Sequence, residues 1–198
     1  MVLVREVTLD DWETLRDVRL AALREAPYAF GSTYAREASF TEEQWRGRIS
    51  DRSATFFAYL PESLEPAGLA GVYVEDGAAD VVSMWVRPSA RGRAVGDALI
   101  EATADWAKAR DHATLLLWVT ESNAPARRLY ERCGFAPTGE RQPLPSDPTL
   151  PEVRMRRLLG LPPVAGGHDR ERVGVAGPGG EEVVGPGWSQ TSRSSTAR

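Results

Sequence analysis

Lysine, cysteine and histidine are scarce in this chain of 198 residues, and long apolar runs are missing altogether. Cys133 is the only cysteine, so an intrachain disulfide and a multi-cysteine metal site are both excluded, and nothing implies an oxidising compartment. No stretch approaches the length of a membrane span. The first residues carry Arg5 and Glu6 and lack the apolar core of a secretory signal. The expectation is a soluble, cytoplasmic protein with no membrane partner. Lys108 is the sole lysine among 24 basic residues, which reads as codon bias and carries no functional weight. His112, next to a helix end, and His168, near the end of the chain, are poor catalytic candidates, and no metal is expected. Gly-Lys-Ser/Thr and Gly-x-Gly-x-x-Gly do not occur, which argues against a nucleoside-triphosphate loop and against the dinucleotide fingerprint.

What is present is ordinary globular material. Hydrophobic residues at 42% and charged ones at 26% are enough to build one core, and the length suits one domain. The net charge of -4 speaks against a broad basic face, so no nucleic acid is expected as partner. The domain should span residues 1–161. From residue 162 onward Gly and Pro make up about a third of the chain and apolar periodicity is lost, so a disordered tail is expected there.

Periodicity predicts a mixed α/β order. A strand over residues 3–7 precedes a helix capped by Asp10 or Asp11 and ending near Pro27. Residues 28–39 read as a loop, and Thr41 with Gln44 as a capping box opening a short helix anchored by Trp45 and Ile49. Strands over residues 54–60, 68–75 and 80–86 are close enough for an antiparallel meander. A long helix over residues 93–110 with Val95, Leu99, Ala102 and Trp106 on one stripe then leads to an apolar run at 115–119, expected to be buried on both faces. That is the pattern of a parallel crossover. A shorter helix over 124–133 takes Asn123 as N-cap, Pro125 in its first turn and Gly134 as its left-handed stop, with Phe135 folding back. The Pro-rich stretch 143–151 should connect to a last strand over 153–159.

The passage Val86-Arg87-Pro88 followed by Arg91-Gly92-Arg93-Ala94-Val95-Gly96 runs from strand through a small-residue loop into a helix. Such a turn aims several backbone N–H groups and the positive end of the helix dipole at one point, an anion site. Gly92 and Gly96 allow close approach to the backbone, and Arg91 and Arg93 add charge suited to phosphate oxygens. Taken alone, the loop is equally well an ordinary turn with solvated arginines. The downstream block Asn123-Ala124-Pro125-Ala126-Arg127-Arg128-Leu129-Tyr130-Glu131-Arg132-Cys133-Gly134-Phe135 adds a second signature at a fixed distance.

Together these two blocks resemble the GNAT superfamily of N-acetyltransferases. Its donor loop follows Arg/Gln-x-x-Gly-x-Gly/Ala, and its later helix Asn-x-x-Ala-x-x-Leu-Tyr-x-x-x-Gly-Phe. Ala94 departs from the usual glycine and is tolerable there if its φ is negative. The resemblance implies the GNAT fold, a strongly twisted mixed sheet with a central parallel βαβ crossover whose strands part to admit a pantetheine arm. It further implies acetyl-CoA as cosubstrate, main-chain contacts to it from Met84, Trp85 and Val86, and a diphosphate on Arg91, Gly92, Arg93, Ala94, Val95 and Gly96. Tyr130 would be the acid that protonates the departing thiolate, with core packing as its alternative. Asn123 would touch the pantetheine besides capping its helix.

The implied reaction is N-acetyl transfer to a primary amine of a small molecule in a ternary complex. A peptide or protein acceptor and a noncatalytic acetyl-CoA-binding module are the alternatives. Transfer needs a base or a water chain, since only a neutral amine attacks. Glu121, just past the buried strand, is the first candidate, with a solvated loop acid as its other reading. In this family the first helices and residues 28–39 wall the acceptor site, and Phe30, Trp45 and Trp85 suggest an aromatic lining. Cys133 reads as packing, and a homodimer is left open.

Overall fold

Strand and helix signals alternate along the chain, and the computed structural model assembles them into one seven-stranded mixed sheet with helices on both faces. Residues 1–160 are described, apart from Asp51 and Asp76. The tail expected from residue 162 lies outside the described residues. Strands β1 (Leu3–Glu6), β2 (Ser53–Tyr59), β3 (Gly68–Glu75), β4 (Ala78–Val86), β5 (Thr114–Thr120), β6 (Ala136–Leu144) and β7 (Asp147–Leu158) lie in the order β1-β2-β3-β4-β5-β7-β6. The β2-β3-β4 meander is antiparallel and β4-β5 is parallel, as the crossover pattern requires.

Two helices cover one face. Helix α4 (Val95–Lys108) is the crossover, and α5 (Ala124–Arg132) follows β5. Leu99, Ile100 and Ala104 of α4 pack with Leu115 and Leu117 of β5 and Met155 of β7, all fully buried. Gly68 lets α4 close on the sheet: a Cβ there would stand 3.2 Å from both Val95 Cγ1 and Leu99 Cδ1 of α4, and 2.5 Å from Trp85 O of β4. The opposite face is covered by α1 (Trp12–Glu25), α2 (Tyr34–Ala38) and α3 (Glu42–Arg46), whose Leu15, Leu23 and Trp45 pack on Phe57, Leu69 and Trp85. Trp45 therefore belongs to this core. The capping box at Thr41 and Gln44 forms as expected, and Asn123 accepts the Ala126 N–H at the start of α5.

Three expectations are corrected. Residues 28–39 contain α2, whose N-cap Thr33 accepts from Arg36 N. Five residues are too short to carry a readable helical period, and the segment is tied down by buried charge instead. Arg19 donates to both oxygens of fully buried Glu37 at 3.0 and 2.8 Å, and Arg48 donates to its Oε2 at 2.6 Å. Secondly, the stretch 143–151 is the tip of the β6-β7 hairpin. Its prolines are tolerated because β6 is an edge strand and because β7 pairs with β5 only from Glu152 onward. Thirdly, β5 is not buried on both faces: Leu115, Leu117 and Val119 are buried, while Leu116 and Trp118 are half-buried. Helix α1 packs over β3 and β4, leaving that face of β5 partly open.

Candidate active site

The parallel pairing of β4 with β5 covers only Ala79–Leu115, Asp80–Leu116 and Val81–Leu117. Past Val81 the strands part. There β4 carries a bulge: three steps from Val82 to Trp85 oppose two from Gly71 to Leu69, and Ser83 takes φ 56°. Ser83 Oγ accepts Arg19 Nη1 at 3.2 Å, so the buried Arg19–Glu37–Arg48 cluster fastens the bulge to α1 and α2. Burial alone would push the Glu37 carboxyl up, but the guanidinium groups of Arg19 and Arg48 outweigh it and hold the carboxyl at about 2.

The freed end of β4 forms one wall of a cavity of about 720 Å³. Met84, Trp85 and Val86 line it from β4, and Gly92, Ala94, Val95 and Gly96 from the start of α4. Asn123, Pro125, Ala126, Leu129 and Tyr130 line it from α5, and Ala26, Tyr28, Ala29 and Phe30 from the end of α1 and the turn beyond. No side chain caps α4, whose N-cap is Ala94. Gly92 has φ 76° and open space where a Cβ would stand. An uncapped helix start reached over a bare backbone suits a diphosphate. The edge of β4 beyond Val81, without a strand partner among the described residues, suits the amides of an extended arm.

Tyr130 is buried and packs edge-on against Phe135, with ring centroids 5.9 Å apart. Burial, and then the neighbouring Cys133, raise its phenol well above the ordinary range, so it keeps its proton at neutral pH. The Cys133 thiol is pushed up to about 11, mainly by burial and next by Asp97, so it is no thiolate nucleophile. Asp97 at the rim is bound to Arg132 at 2.8 and 3.0 Å, and that contact keeps its carboxylate below the usual range.

A scan against protein families matches residues 13–135 to the acetyltransferase (GNAT) family. The chain belongs to that family. Among named relatives, a candidate ribosomal protein bS18-alanine N-acetyltransferase of Bacillus subtilis is 31% identical over 103 residues, 52% of this chain and 68% of that protein. The IAA acetyltransferase of Azospirillum brasilense is 36% identical over 81 residues, 41% of this chain and 53% of that one. Of solved structures, the Escherichia coli ribosomal-protein-S18-alanine N-acetyltransferase superposes with a TM-score of 0.61 at 20% identity, over 83% of this chain and 97% of that one. A Thermoplasma acidophilum N-acetyltransferase in complex with coenzyme A superposes with a TM-score of 0.60 at 14% identity, over 80% and 99%. At these identities the structures establish the fold. The protein is an acetyltransferase enzyme of a family whose donor is acetyl-CoA.

In this acetyltransferase, most of the residues singled out from the sequence meet at the cavity, Trp85 and Phe30 among them. Two do not. Arg93 is turned to Glu62 at 2.5 Å and is not part of the wall. Glu121 also lies off the wall, its Oε1 accepting Arg141 Nη2 at 2.8 Å. Ala94 has φ 60° and ψ 14°, so the negative φ that would spare its methyl is not adopted. Gly96 serves packing: a Cβ there would meet Leu129 Cδ2 of α5 at 2.8 Å. Sequence reading missed Glu25, which accepts from both Trp85 Nε1 and Arg91 Nη2, and the Asp97–Arg132 pair at the rim. Only long-range packing brings these partners together, and no local spacing encodes it. Among the described residues, no helix is long and apolar enough to cross a membrane.

Proposed function

We propose that this enzyme transfers the acetyl group of acetyl-CoA directly to a primary amine of a small molecule. The carrying observation is the crevice where β4 leaves β5 beside the uncapped start of α4, with Tyr130 in its lining. Acetyl-CoA supplies an activated acyl group on a thiol leaving group. The backbone of Gly92, Ala94, Val95 and Gly96 would hold the diphosphate, and that of Met84, Trp85 and Val86 would hold the arm and carry N–H groups for oxyanion stabilisation. Asn123 caps α5 and borders the arm. The amine nitrogen forms the new C–N bond as the C–S bond breaks, and Tyr130, kept protonated by its buried setting, gives its proton to the departing sulfur. Glu121 is held by Arg141 off the cavity wall, so in this reading the amine loses its proton to water entering the cavity.

A small acceptor is supported by the way residues 27–30 are held. Thr120 Oγ1 donates to Tyr28 O at 2.7 Å, and Ser146 Oγ at the β6-β7 tip donates to Phe30 O at 2.5 Å. Each of these two wall carbonyls already spends one of its two acceptor sites inside the protein, which leaves less for an extended peptide to pair with. A peptide acceptor is the second reading, favoured by the Bacillus subtilis relative. Thiol release from acetyl-CoA, followed with a panel of small primary amines and with a peptide beginning in alanine, separates the two. Faster release with the peptide overturns the small-acceptor reading, and no release with either overturns catalysis.

A further inference from the structure

Glu25 ends α1 and has no part in the reaction above, yet it joins both sides of the cavity. Its Oε2 accepts Trp85 Nε1 at 3.0 Å and Arg91 Nη2 at 2.8 Å. Arg91 Nε in turn donates to Val86 O at 3.1 Å. Trp85, Val86, Arg91 and Ala26, the neighbour of Glu25, all line the cavity. Arg91 is thus folded back on the end of β4, with two of its N–H groups spent on the protein. Val86 O, at the end of β4 that has no β5 partner, is covered by it.

A donor with its diphosphate at the start of α4 and its arm along β4 needs both groups that this contact occupies. The ion pair itself is exposed, 51% for the Arg91 side chain and 33% for Glu25, so solvent weakens it. A diphosphate offers the guanidinium a denser charge and two oxygens in fork geometry. The exchange is therefore downhill for Arg91 and leaves Glu25 with Trp85 alone.

We propose that Glu25 is a positioning residue that latches Arg91 across the donor path, and that donor binding replaces Glu25 by diphosphate oxygen as the partner of Arg91. The inference rests on the donor site proposed above. Because Glu25 belongs to the helix that leads into the acceptor wall, the exchange links the two substrates. By reciprocity, whatever loosens Glu25 from Arg91 tightens donor binding.

Glu25→Gln keeps an oxygen for Trp85 Nε1 and removes the charge that holds Arg91. Calorimetric titration with CoA should give a dissociation constant about threefold lower in Glu25→Gln than in the wild type. In ¹⁵N-labelled wild type, the Trp85 indole N–H, assigned by comparison with Trp85→Phe, should shift when CoA is added, and shift far less in Glu25→Gln. A merely structural contact gives unchanged or weaker CoA binding in the variant, and that result beside normal wild-type binding overturns the latch while leaving the donor site in place. A stationary wild-type indole in the CoA complex overturns it too, and remains decisive if Glu25→Gln does not fold. Absence of CoA binding by the wild type removes the donor site and the latch together.

Discussion

Ala94 carries the clearest local strain near the site. A non-glycine residue at φ 60° costs about 1 kcal/mol because its Cβ crowds the following carbonyl. Ala94→Gly removes that crowding, partly offset by the greater freedom of glycine in the unfolded chain. It should raise the unfolding free energy by no more than about 0.6 kcal/mol, read from a urea midpoint at constant slope. Tyr130 is the other residue whose setting makes a direct demand. Under the proposed reaction, Tyr130→Phe keeps the ring against Phe135 and deletes only the proton, so kcat should fall about 100-fold while CoA affinity stays within twofold. An unchanged kcat removes Tyr130 as the acid.

At the scale of elements, the decisive contact is α2 to α1 through buried charge. Glu37 is held at about 2 in the fold against about 4.3 in the unfolded chain, so its contribution is complete above the unfolded value and is lost as pH falls through 4 towards 2. The full loss amounts to about 3 kcal/mol, of which a melting series from pH 7 to pH 3 should record a little more than half as a falling Tm; Glu37→Gln should follow it less steeply, the remaining slope coming from carboxylates such as Asp11 and Asp97 that are also held low. That variant removes the negative charge that both buried guanidinium groups bind and should cost about 3–5 kcal/mol at pH 7. The same cluster marks the limit of what was legible. Long periodic elements were readable: α1, α4, α5 and the meander appear within two residues of their expected bounds, because apolar spacing and caps are local signals. Helix α2 and the β6-β7 hairpin were not, because a five-residue helix has no period and because prolines on an edge strand look like a linker. For the candidate site, the glycine loop and the Asn123 to Phe135 block stood out as motifs. Glu25, Arg19 and Glu37 did not, since their meaning lies only in partners distant along the chain.

At the scale of the whole molecule, one wall of the cavity is held in place by elements that do not themselves line it. Residues 27–30 are fixed to β5 by Thr120 and to the β6-β7 tip by Ser146. Ser146→Ala releases one stitch worth about 1 kcal/mol. If that stitch keeps extended acceptors out, the ratio of kcat/KM for an alanine peptide to that for a small amine should rise about fivefold, with CoA affinity unchanged. An unaltered ratio would show that the tip takes no part in acceptor choice.

The three-pair contact between β4 and β5 has a wider consequence. It makes the sheet two panels, β1-β4 and β5-β7, joined along a short seam with α4 laid across it. A molecule lying in the gap would act as a splint between the panels, so the rigidity of the folded protein would follow the supply of its substrate in the cell.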